Sequence, residues 1–273
     1  MKNCIDVTIS IVNYNGRKII KDCIESILKN TEMLNYEIIV IDNASSDGSP
    51  EMMKKDFPMI NLIVNKRNEG FAKANNKVFK YASGKYFLLL NPDCIVTDNT
   101  IAKMLKLMEE RKDVGIIGCK IINTNGEIEI SSDKFPTLYN ELVLKIKKNV
   151  IRHNKSFEKI YNSTYMKSQE VDWVSGAVLL IRSEIYRKIN GMDEEYFLYF
   201  EDIDLCKRVK NNGWKIFYET KFEVMHMRGS SVRKKSKEDI SSIYHKSHLY
   251  YYKRHNPFQY HLLRLYLNSK GFN

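Results

Sequence analysis

The stretch VTISIVNYNG, residues 7–16, is an apolar run that ends in a polar turn. Apolar residues then recur at helical spacing from Ile19 to Leu28, and a second helix is predicted over Phe71–Tyr81. Three further buried strands are predicted at Glu37–Ile41, Asn61–Val64 and Tyr86–Leu90. Short apolar strands separated by helices predict an α/β fold whose central sheet is mostly parallel and covered by helices on both faces.

Length and charge restrict the class of protein. The 273 residues, 43% of them hydrophobic, suffice for one large α/β domain or two small ones. Residues 205–273 hold 15 basic and 4 acidic residues, whereas the preceding 204 residues are neutral, so this segment carries the whole net charge of +11. Such a positive field attracts phosphates of a nucleotide, a lipid head group or nucleic acid. A solvated basic segment without a partner is the alternative.

The five cysteines are scattered, and no pair has the spacing of metal ligands. We expect them to be reduced and mostly buried, as in a cytosolic protein. The first residues run into a strand pattern without a signal peptide, and no apolar run reaches the roughly 18 residues that a membrane helix needs. Any membrane contact is therefore expected to be peripheral.

Polar side chains follow the first two predicted strands, where ligands of parallel sheets bind. Asn13, Tyr14 and Asn15 follow the first strand, and Asp42 and Asn43 follow the second. A carboxylate at this place can accept a hydrogen bond from a pyrimidine N–H or a ribose hydroxyl. The alternative for an Asp-Asn pair is a turn without a ligand. For Asp42 we favour binding.

A small turn and a pair of acids mark the second half of the chain. The turn is WVSGA, residues 173–177, and the acids are Glu201 and Asp202 at the start of a predicted helix. Together they offer room for a substrate and a carboxylate that takes its proton. We predict Asp202 as the general base, with Glu201 as the runner-up. The alternative for Asp202 is an N-cap of the helix, whereas Asp204 is expected to pair with Arg208.

Asn91-Pro92-Asp93 directly follows the fourth predicted strand. A carboxylate at this place can bind a divalent metal that neutralises a diphosphate, and the alternative is that Asp93 only caps the turn. His226 lies in a segment that alternates like a strand, Phe222–Met227. An isolated histidine is more often structural than functional.

These motifs, in this order, resemble those of the family-2 inverting glycosyltransferases, and the resemblance runs from about Thr8 to Ser231. The nearest likeness is to bacterial rhamnosyltransferases that use a dTDP-sugar. The segments that carry it are DNASSDGS at 42–49, NEGF at 68–71, NPD at 91–93, WVSGA at 173–177, YFEDIDL at 199–205 and HMRGSS at 226–231.

The resemblance implies a GT-A fold and the transfer of a sugar, with inversion, from a nucleoside diphosphate to a hydroxyl of a saccharide. The implied donor is dTDP-rhamnose, with UDP-Glc, UDP-Gal or UDP-GlcNAc as the alternative. The implied acceptor is linked to polyprenyl diphosphate and serves the synthesis of surface polysaccharide. A divalent metal, Mg²⁺ or Mn²⁺, is the implied cofactor. Because Asp93 is the single acid where the family usually has Asp-x-Asp, metal binding is expected to be weak without the donor.

The same resemblance implies three groups of site residues. The nucleotide contacts are Asn13, Tyr14, Asn15, Asp42, Asn43, Asn68, Gly70 and Asn91. The residues at the acceptor and the sugar are Trp173, Ser175, Gly176 and Glu201. The residues at the metal and the diphosphate are Asp93, His226 and Arg228.

We predict one GT-A domain over residues 1–235, with a nucleotide-sugar half at about 1–120 and an acceptor half at 121–235. The mixed segment at about 131–169 is expected to hold a flexible acceptor loop. A basic, aromatic helical extension follows at 236–273, and it is expected either to bind an anionic membrane surface or to pack on the domain. The protein is expected in the cytoplasm, peripheral on the inner face of the plasma membrane.

Two other classes of function are weighed against this one. A basic nucleic-acid-binding module would explain the charge but not the acids at the strand ends, and no recognised nucleic-acid motif is present, so no nucleic-acid partner is expected. The absence of Gly-x-Gly-x-x-Gly and Gly-Lys-Ser/Thr sequences counts against dehydrogenases and P-loop enzymes. The other alternative is an inactive relative that only binds a sugar nucleotide.

Overall fold

The computed structural model describes residues 4–153, 166–227 and 237–269. Its first half alternates strands and helices in the predicted order. The strands are β1 (Val7–Asn13), β2 (Tyr36–Asp42), β3 (Asn61–Val64), β4 (Tyr86–Leu90), β5 (Cys94–Val96) and β6 (Val114–Ile122). The helices are α1 (Arg17–Asn30), α2 (Ser49–Asp56), α3 (Phe71–Phe79) and α4 (Thr100–Glu110).

The second half combines short strands with longer helices. The strands are β7 (Ile128–Glu129), β8 (Ser132–Asp133), β9 (Gln169–Val171), β10 (Trp173–Val174), β11 (Val178–Arg182) and β12 (Lys215–His226). The helices are α5 (Leu138–His153), α6 (Ser183–Lys188), α7 (Glu201–Asn211), α8 (Lys237–His255) and α9 (Pro257–Ser269). The expectation of a loop at about 131–169 is therefore wrong for the part that forms α5.

The central sheet has the strand order β3-β2-β1-β4-β11-β6-β12-β5. Strands β1 to β4 run parallel, and Asn13 lies opposite Asp42. Strand β11 is antiparallel to both β4 and β6, and β12 runs parallel to β6. The carboxyl ends of β1, β2 and β4 therefore meet at one edge of the sheet, which is where α/β sheets bind ligands. The predicted α/β fold with a mostly parallel sheet is confirmed.

Both faces of the sheet are buried at its centre, which explains why a central strand such as β4 is a continuous apolar run. In β4, Leu88 and Leu90 pack with α1, α2 and α4, whereas Phe87 and Leu89 pack on the opposite face with α3, α6 and α7. Successive side chains of a strand point to opposite faces, so each face receives its own core.

The C-terminal helices pack on the domain. Their shared core contains Tyr196, Phe200, Tyr251, Tyr252, Leu263 and Leu267. Asp204 of α7 is fully buried, and its carboxylate pairs with Arg208 (Nε to Oδ2, 2.7 Å) and with His255 of α8 (Nε2 to Oδ1, 2.7 Å). Because an unpaired buried charge is costly, α8 stabilises the helix that begins with the two predicted acids. Of the two expectations for the extension, packing on the domain is observed.

The cysteines agree with the expectation of reduced thiols. Cys23, Cys94, Cys119 and Cys206 are buried, Cys4 is exposed, and all are free. In the described ranges, no helix combines the length and the apolar character that crossing a bilayer requires.

Candidate active site

A strand-end cluster, formed by Asn13, Asp42 and Ser45, joins the ends of β1 and β2. Asp42 is fully buried, and its Oδ2 accepts hydrogen bonds from Asn13 Nδ2 (2.7 Å) and Ser45 Oγ (2.6 Å). Its Oδ1 accepts the backbone N–H of Ser45 (2.7 Å). Asn15 joins the same turn, because its N–H donates to Ser45 Oγ (2.8 Å), and half-buried Tyr14 lies beside it in the chain. The cluster is thus fixed before a ligand binds.

One polar atom of the strand-end cluster lacks a partner. Asn13 Oδ1 is buried and accepts no hydrogen bond within the described part of the chain. A Cβ at position 16 would lie 2.7 Å from this oxygen, so Gly16 leaves room beside it. An unsatisfied buried acceptor costs roughly 1–3 kcal/mol. A ligand that donates an N–H or O–H, as a pyrimidine or a ribose does, would remove this cost.

The loop before α3 connects the two halves of the molecule. Asn43 Nδ2 donates to the carbonyl of Gly70 (3.1 Å), and Asn68 Oδ1 accepts the Gly70 N–H (3.0 Å). Gly70 has a φ of +82°, and a Cβ there would lie 2.5 Å from the carbonyl oxygen of Phe197, so only glycine fits. The same carbonyl accepts the N–H of Phe71 (2.9 Å). The predicted nucleotide loop is therefore attached to the segment that precedes the acid pair, Glu201 and Asp202.

Asp93 and His226 bring a carboxylate and an imidazole together. Asp93 Oδ1 lies 3.0 Å from His226 Nε2, and Glu129 Oε2 lies 2.9 Å from His226 Nδ1. Burial by itself lowers the pKa of His226, but the hydrogen bonds and charges of Asp93 and Glu129 outweigh it and raise that pKa. Cys94 is adjacent, but burial and the charge of Asp93 raise its thiol pKa well above the usual value, so the thiol stays protonated and is a poor ligand.

This group of side chains fits a divalent cation. Ligand atoms of Asp93, Cys94 and His226 all lie within 4.8 Å of one another. A cation between Asp93 and His226 would take the place of the contact between Asp93 Oδ1 and His226 Nε2. His226 Nδ1–H would then donate to Glu129, and such a carboxylate fixes the tautomer and the orientation of metal-binding histidines. Arg228, the third residue predicted for the diphosphate, lies outside the described residues.

The acid pair begins α7. Asp202 Oδ2 accepts the Gly176 N–H and its Oδ1 accepts the Ile203 N–H, both at 2.8 Å. The helix has no side-chain cap, and its N-cap residue is Phe200, so Asp202 does not serve as the N-cap. Burial raises the pKa of Asp202, and the two N–H groups oppose that rise. Burial and then the charge of Asp202 raise the pKa of Glu201 well above its usual range. The two N–H donors to Asp202 and the strong rise in the pKa of Glu201 favour Asp202 as the charged member of the pair.

The turn directly before the acid pair is strained. Tyr199 and Phe200 have φ values of +71° and +68°, and such left-handed conformations cost non-glycine residues roughly 1–3 kcal/mol each. The ring of Phe200 stacks on His248 of α8, with ring centroids 5.0 Å apart and planes inclined by 14°. Ser247 Oγ donates to the carbonyl of Leu198 (2.8 Å). Helix α8 therefore holds the turn that orients the acids.

A cavity of about 800 Å³ opens beside the acid pair. Six residues that were predicted from separate motifs line it together: Asn91, Trp173, Ser175, Gly176, Glu201 and Asp202. Its described lining does not include the strand-end cluster or Asp93 and His226. Asn91 connects the two areas, because its N–H donates to the carbonyl of Ala177 (2.9 Å) in the turn beside the acids. The structure thus gathers the predicted acceptor residues in one cavity.

Glu129 is a site residue that the sequence analysis did not single out. Strands β7 and β12 both pair with the end of β6, where Ile121 lies opposite Glu129 and opposite Val224. This brings Glu129 to His226, although 97 residues separate them. The Asn125-Gly126 pair is a hairpin signal that predicts β7 beside β6. No local signal predicts that β12 joins them.

Two family models match the chain. The model described as glycosyl transferase family 2 matches residues 8–171, which is more than half of the chain. A second model, described as the N-terminal domain of galactosyltransferase, matches residues 158–246.

The chain is similar to an N-acetylglucosaminyl-diphospho-decaprenol L-rhamnosyltransferase of Mycobacterium tuberculosis, with 23% identity over 232 residues that cover 80% of this chain and 75% of the relative. It is also similar to the rhamnosyltransferase WbbL of Escherichia coli, with 28% identity over 228 residues that cover 81% of this chain and 83% of the relative.

Among solved structures, a mannosyltransferase of Pyrobaculum calidifontis in complex with GDP-Man and Mn²⁺ superimposes with a TM-score of 0.62 at 15% identity. The match covers 94% of this chain and 68% of that one, and it shows that the two share a fold. From the family match and the shared fold, the chain belongs to glycosyltransferase family 2 and is a glycosyltransferase of the GT-A fold.

Proposed function

We propose that this enzyme moves L-rhamnose from dTDP-rhamnose to a hydroxyl of a saccharide carried on polyprenyl diphosphate, with inversion at the anomeric carbon, in the synthesis of surface polysaccharide. The observation that carries the chemistry is the carboxylate of Asp202, which the Gly176 N–H holds at the wall of the cavity. The choice of sugar rests on the two relatives named rhamnosyltransferases, and the lipid acceptor rests on the name of the mycobacterial relative.

Inversion requires a single displacement with a base on one face of the sugar. The acceptor oxygen forms a bond to the anomeric carbon while its proton passes to Asp202. The bond from that carbon to the diphosphate oxygen breaks, and the nucleoside diphosphate leaves with the electron pair. We assign the base to Asp202 rather than to Glu201, because two backbone N–H groups hold the Asp202 carboxylate, whereas burial and the charge of Asp202 raise the pKa of Glu201 well above its usual range. Glu201 can then donate a hydrogen bond to a substrate oxygen.

The nucleotide is assigned to the carboxyl end of the sheet. The unsatisfied Asn13 Oδ1 accepts from the base or the ribose, and the fixed carboxylate of Asp42 orients the amide of Asn13. Gly70 lets the donor approach the backbone of the loop before α3.

Asp93 and His226 would hold a divalent cation, and Glu129 would orient His226. When bound, the cation neutralises the charge that develops on the leaving diphosphate. The mannosyltransferase solved with Mn²⁺ supports a divalent cation, Mn²⁺ or Mg²⁺, at this site. One protein carboxylate is a weak site, so the oxygens of the donor diphosphate would complete it.

We place the reaction at the inner face of the plasma membrane, with the protein attached peripherally and without nucleic acid. The basic C-terminal quarter supports this. Part of its charge is used inside the fold, since Arg208 and Lys215 pair with Asp204 and Asp113, and the basic run at 233–235 lies outside the described residues. The remaining cations contribute an attraction of about 1 kcal/mol each when they lie near an anionic surface.

A donor panel tests the proposal. dTDP-rhamnose, UDP-Glc, UDP-Gal and UDP-GlcNAc are each incubated with Mn²⁺, with and without a polyprenyl-diphosphate saccharide. We expect dTDP-rhamnose to react fastest, to be hydrolysed slowly without acceptor, and to give a product of opposite anomeric configuration by NMR. Faster use of a UDP-sugar would reject rhamnose, and retained configuration would reject the displacement by way of Asp202. Donor binding without any turnover would indicate an inactive relative.

A further inference from the structure

The cavity beside the acid pair carries positive charge at its wall. Lys134, Lys145 and Lys147 line it, and all three are exposed to solvent. Within the described ranges, none of these lysines forms an ion pair with a carboxylate. Two acids besides Glu201 and Asp202 also line the cavity: Glu141 lies 2.8 Å from His248 Nε2, and Asp133 Oδ1 accepts the backbone N–H of Lys134 (2.7 Å). The wall therefore offers three ammonium groups to an anionic ligand.

Helices α5 and α9 expose apolar side chains to solvent. On α5, Leu142 and Ile146 are 57% and 54% exposed, and their spacing of four residues places them on one face. On α9, Phe258, Leu262 and Leu265 are 94%, 60% and 67% exposed, again on one face. We call these five residues the apolar face. These large side chains repeat at helical spacing on α5 and α9, whereas exposed apolar residues on ordinary surfaces are scattered singly.

The apolar face borders the same cavity. Tyr266 of α9 lines the cavity and is itself half exposed. Helix α5 begins beside α9, because the N–H of Leu138 donates to Gln259 Oε1 (2.9 Å). Lys145 and Lys147 flank Ile146 in the sequence and line the cavity. Cations and an apolar surface thus lie together at the rim of the pocket that contains Asp202.

We propose that the apolar face lies on the lipid surface and that Lys134, Lys145 and Lys147 bind the diphosphate of the lipid-linked acceptor. The inference rests on the proposed function and specifies where its acceptor binds. A diphosphate pairs with ammonium groups through charge-assisted hydrogen bonds, while the apolar side chains enter the acyl boundary. A saccharide attached to that diphosphate then extends into the cavity toward Asp202. Other anionic lipids carry no diphosphate-linked saccharide, so we expect their head groups to stay outside the cavity.

Vesicle sedimentation without donor tests the inference. Three vesicle types are compared: phosphatidylcholine alone, phosphatidylcholine with undecaprenyl diphosphate, and phosphatidylcholine with phosphatidylglycerol at equal surface charge. We expect the full chain to bind the diphosphate vesicles at least about tenfold more tightly than the phosphatidylglycerol vesicles, because lysines at the cavity wall can form charge-assisted hydrogen bonds with a diphosphate. Equal binding to the two anionic types would overturn the diphosphate site and leave a general anionic surface.

A triple variant in which the three cavity lysines become alanine should lose this preference. Its matched control replaces Lys29, Lys54 and Lys55, which are exposed on α1 and α2, and should keep it. Both variants lose the same charge, so equal losses would overturn the assignment to the cavity. The thermal midpoint of each variant shows whether it folds.

The apolar face is tested separately. The double variant Leu262→Ser/Leu265→Ser should weaken binding to all three vesicle types, whereas the control Met33→Ser/Met59→Ser, which changes two exposed methionines elsewhere, should not. No difference between these variants would overturn the lipid-facing orientation. Because these measurements need no donor, they are independent of the donor panel. An enzyme without sugar transfer would fail that panel whatever the vesicles show.

Discussion

Asp42 in the strand-end cluster and Glu201 in the cavity beside α7 differ in how their carboxyl groups are hydrogen-bonded. Asp42 is fully buried, and protein donors reach both of its oxygens. Glu201 is 5% exposed, but its Oε2 accepts no hydrogen bond from the described residues. Burial and the charge of Asp202 raise the pKa of Glu201 well above its usual range. Both oxygens of Asp42 are satisfied without a ligand, whereas Glu201 keeps a buried oxygen without a hydrogen bond from the described residues, which carries an energetic cost.

This difference matches the two roles proposed for these regions, nucleotide binding in one and acid–base catalysis in the other. A nucleotide is recognised by fixed hydrogen-bonding groups, which need no rearrangement when the ligand arrives. The acids must act on an acceptor that enters from elsewhere, and they are held by two strained residues, Tyr199 and Phe200. Strain of this kind persists only where the surroundings enforce it, and here α8 does so through His248 and Ser247. The C-terminal helices are therefore part of the catalytic half of the molecule.

The largest effect is expected in the cavity, from Asp202→Asn. A positioned base contributes about 10²–10⁴ in rate, so transfer should slow at least ~100-fold while donor binding at the strand-end cluster is unchanged. Asparagine keeps one oxygen as an acceptor for either Gly176 or Ile203, so the protein should fold. Steady-state transfer rates and a donor titration measure the two effects.

The runner-up base provides the contrasting outcome for that experiment. If Asp202→Asn stays within a few-fold of the wild type while Glu201→Gln is inactive, Glu201 is the base and the assignment of proton and charge within the acid pair is reversed. Loss of donor binding in Asp202→Asn would contradict the separation of the two regions.

The next largest effect is expected at the candidate metal site, formed by Asp93 and His226 with Glu129 beside it. Carboxylates that orient a ligating histidine are worth about 10–100-fold in metal affinity, so Glu129→Gln should weaken Mn²⁺ binding by this factor in calorimetry with the nucleoside diphosphate present. Glu127→Gln is the control, because Glu127 lies on the same hairpin and is exposed.

Asp93→Ala should lose most turnover. Full activity in excess chelator would contradict a metal role for Asp93 and His226.

The two regions also differ in how much of them the sequence predicts. Most residues of β1, β2 and β4 are apolar because both faces of the sheet are buried there, and polar residues at the ends of these strands mark the ligand edge. Local patterns therefore suffice for this half, and the predicted strand bounds differ from the observed ones by single residues at most ends. The predicted Asp204–Arg208 pair also forms, since its spacing within one helix determines it.

The acceptor half depends on contacts between distant segments. Helix α5 was expected to be a loop because its apolar residues occur on more than one face: Val143 and Leu144 line the cavity, while Leu142 and Ile146 face outward. A helix with two apolar surfaces lacks the single stripe that predicts an amphipathic helix. Glu129 reaches His226 through strand pairing across β6, which no local pattern contains.

A smaller effect, on stability, is expected in the strand-end cluster from Asp42→Asn. The amide has only one acceptor oxygen, and its NH₂ would face donors from Asn13 and Ser45, so the free energy of unfolding should fall by roughly 1–3 kcal/mol. Denaturant unfolding measures this loss. The same substitution at Asp202, which is partly exposed, should cost less stability, so an equal loss at both sites would contradict the difference in burial between the two aspartates.

The smallest effect is expected from Glu201→Gln, and it has the opposite sign. A carboxyl whose pKa is raised in the folded state contributes its full stability below the unfolded pKa of about 4.3, and this contribution is lost as the pH rises through the raised folded pKa. Glutamine does not titrate, so the variant should match the wild type near pH 4 and become more stable than it at pH 8. A gain of about 1 kcal/mol would raise the thermal midpoint by about 2–4 °C. A constant difference between pH 4 and pH 8 would contradict a raised pKa of Glu201 in the folded protein.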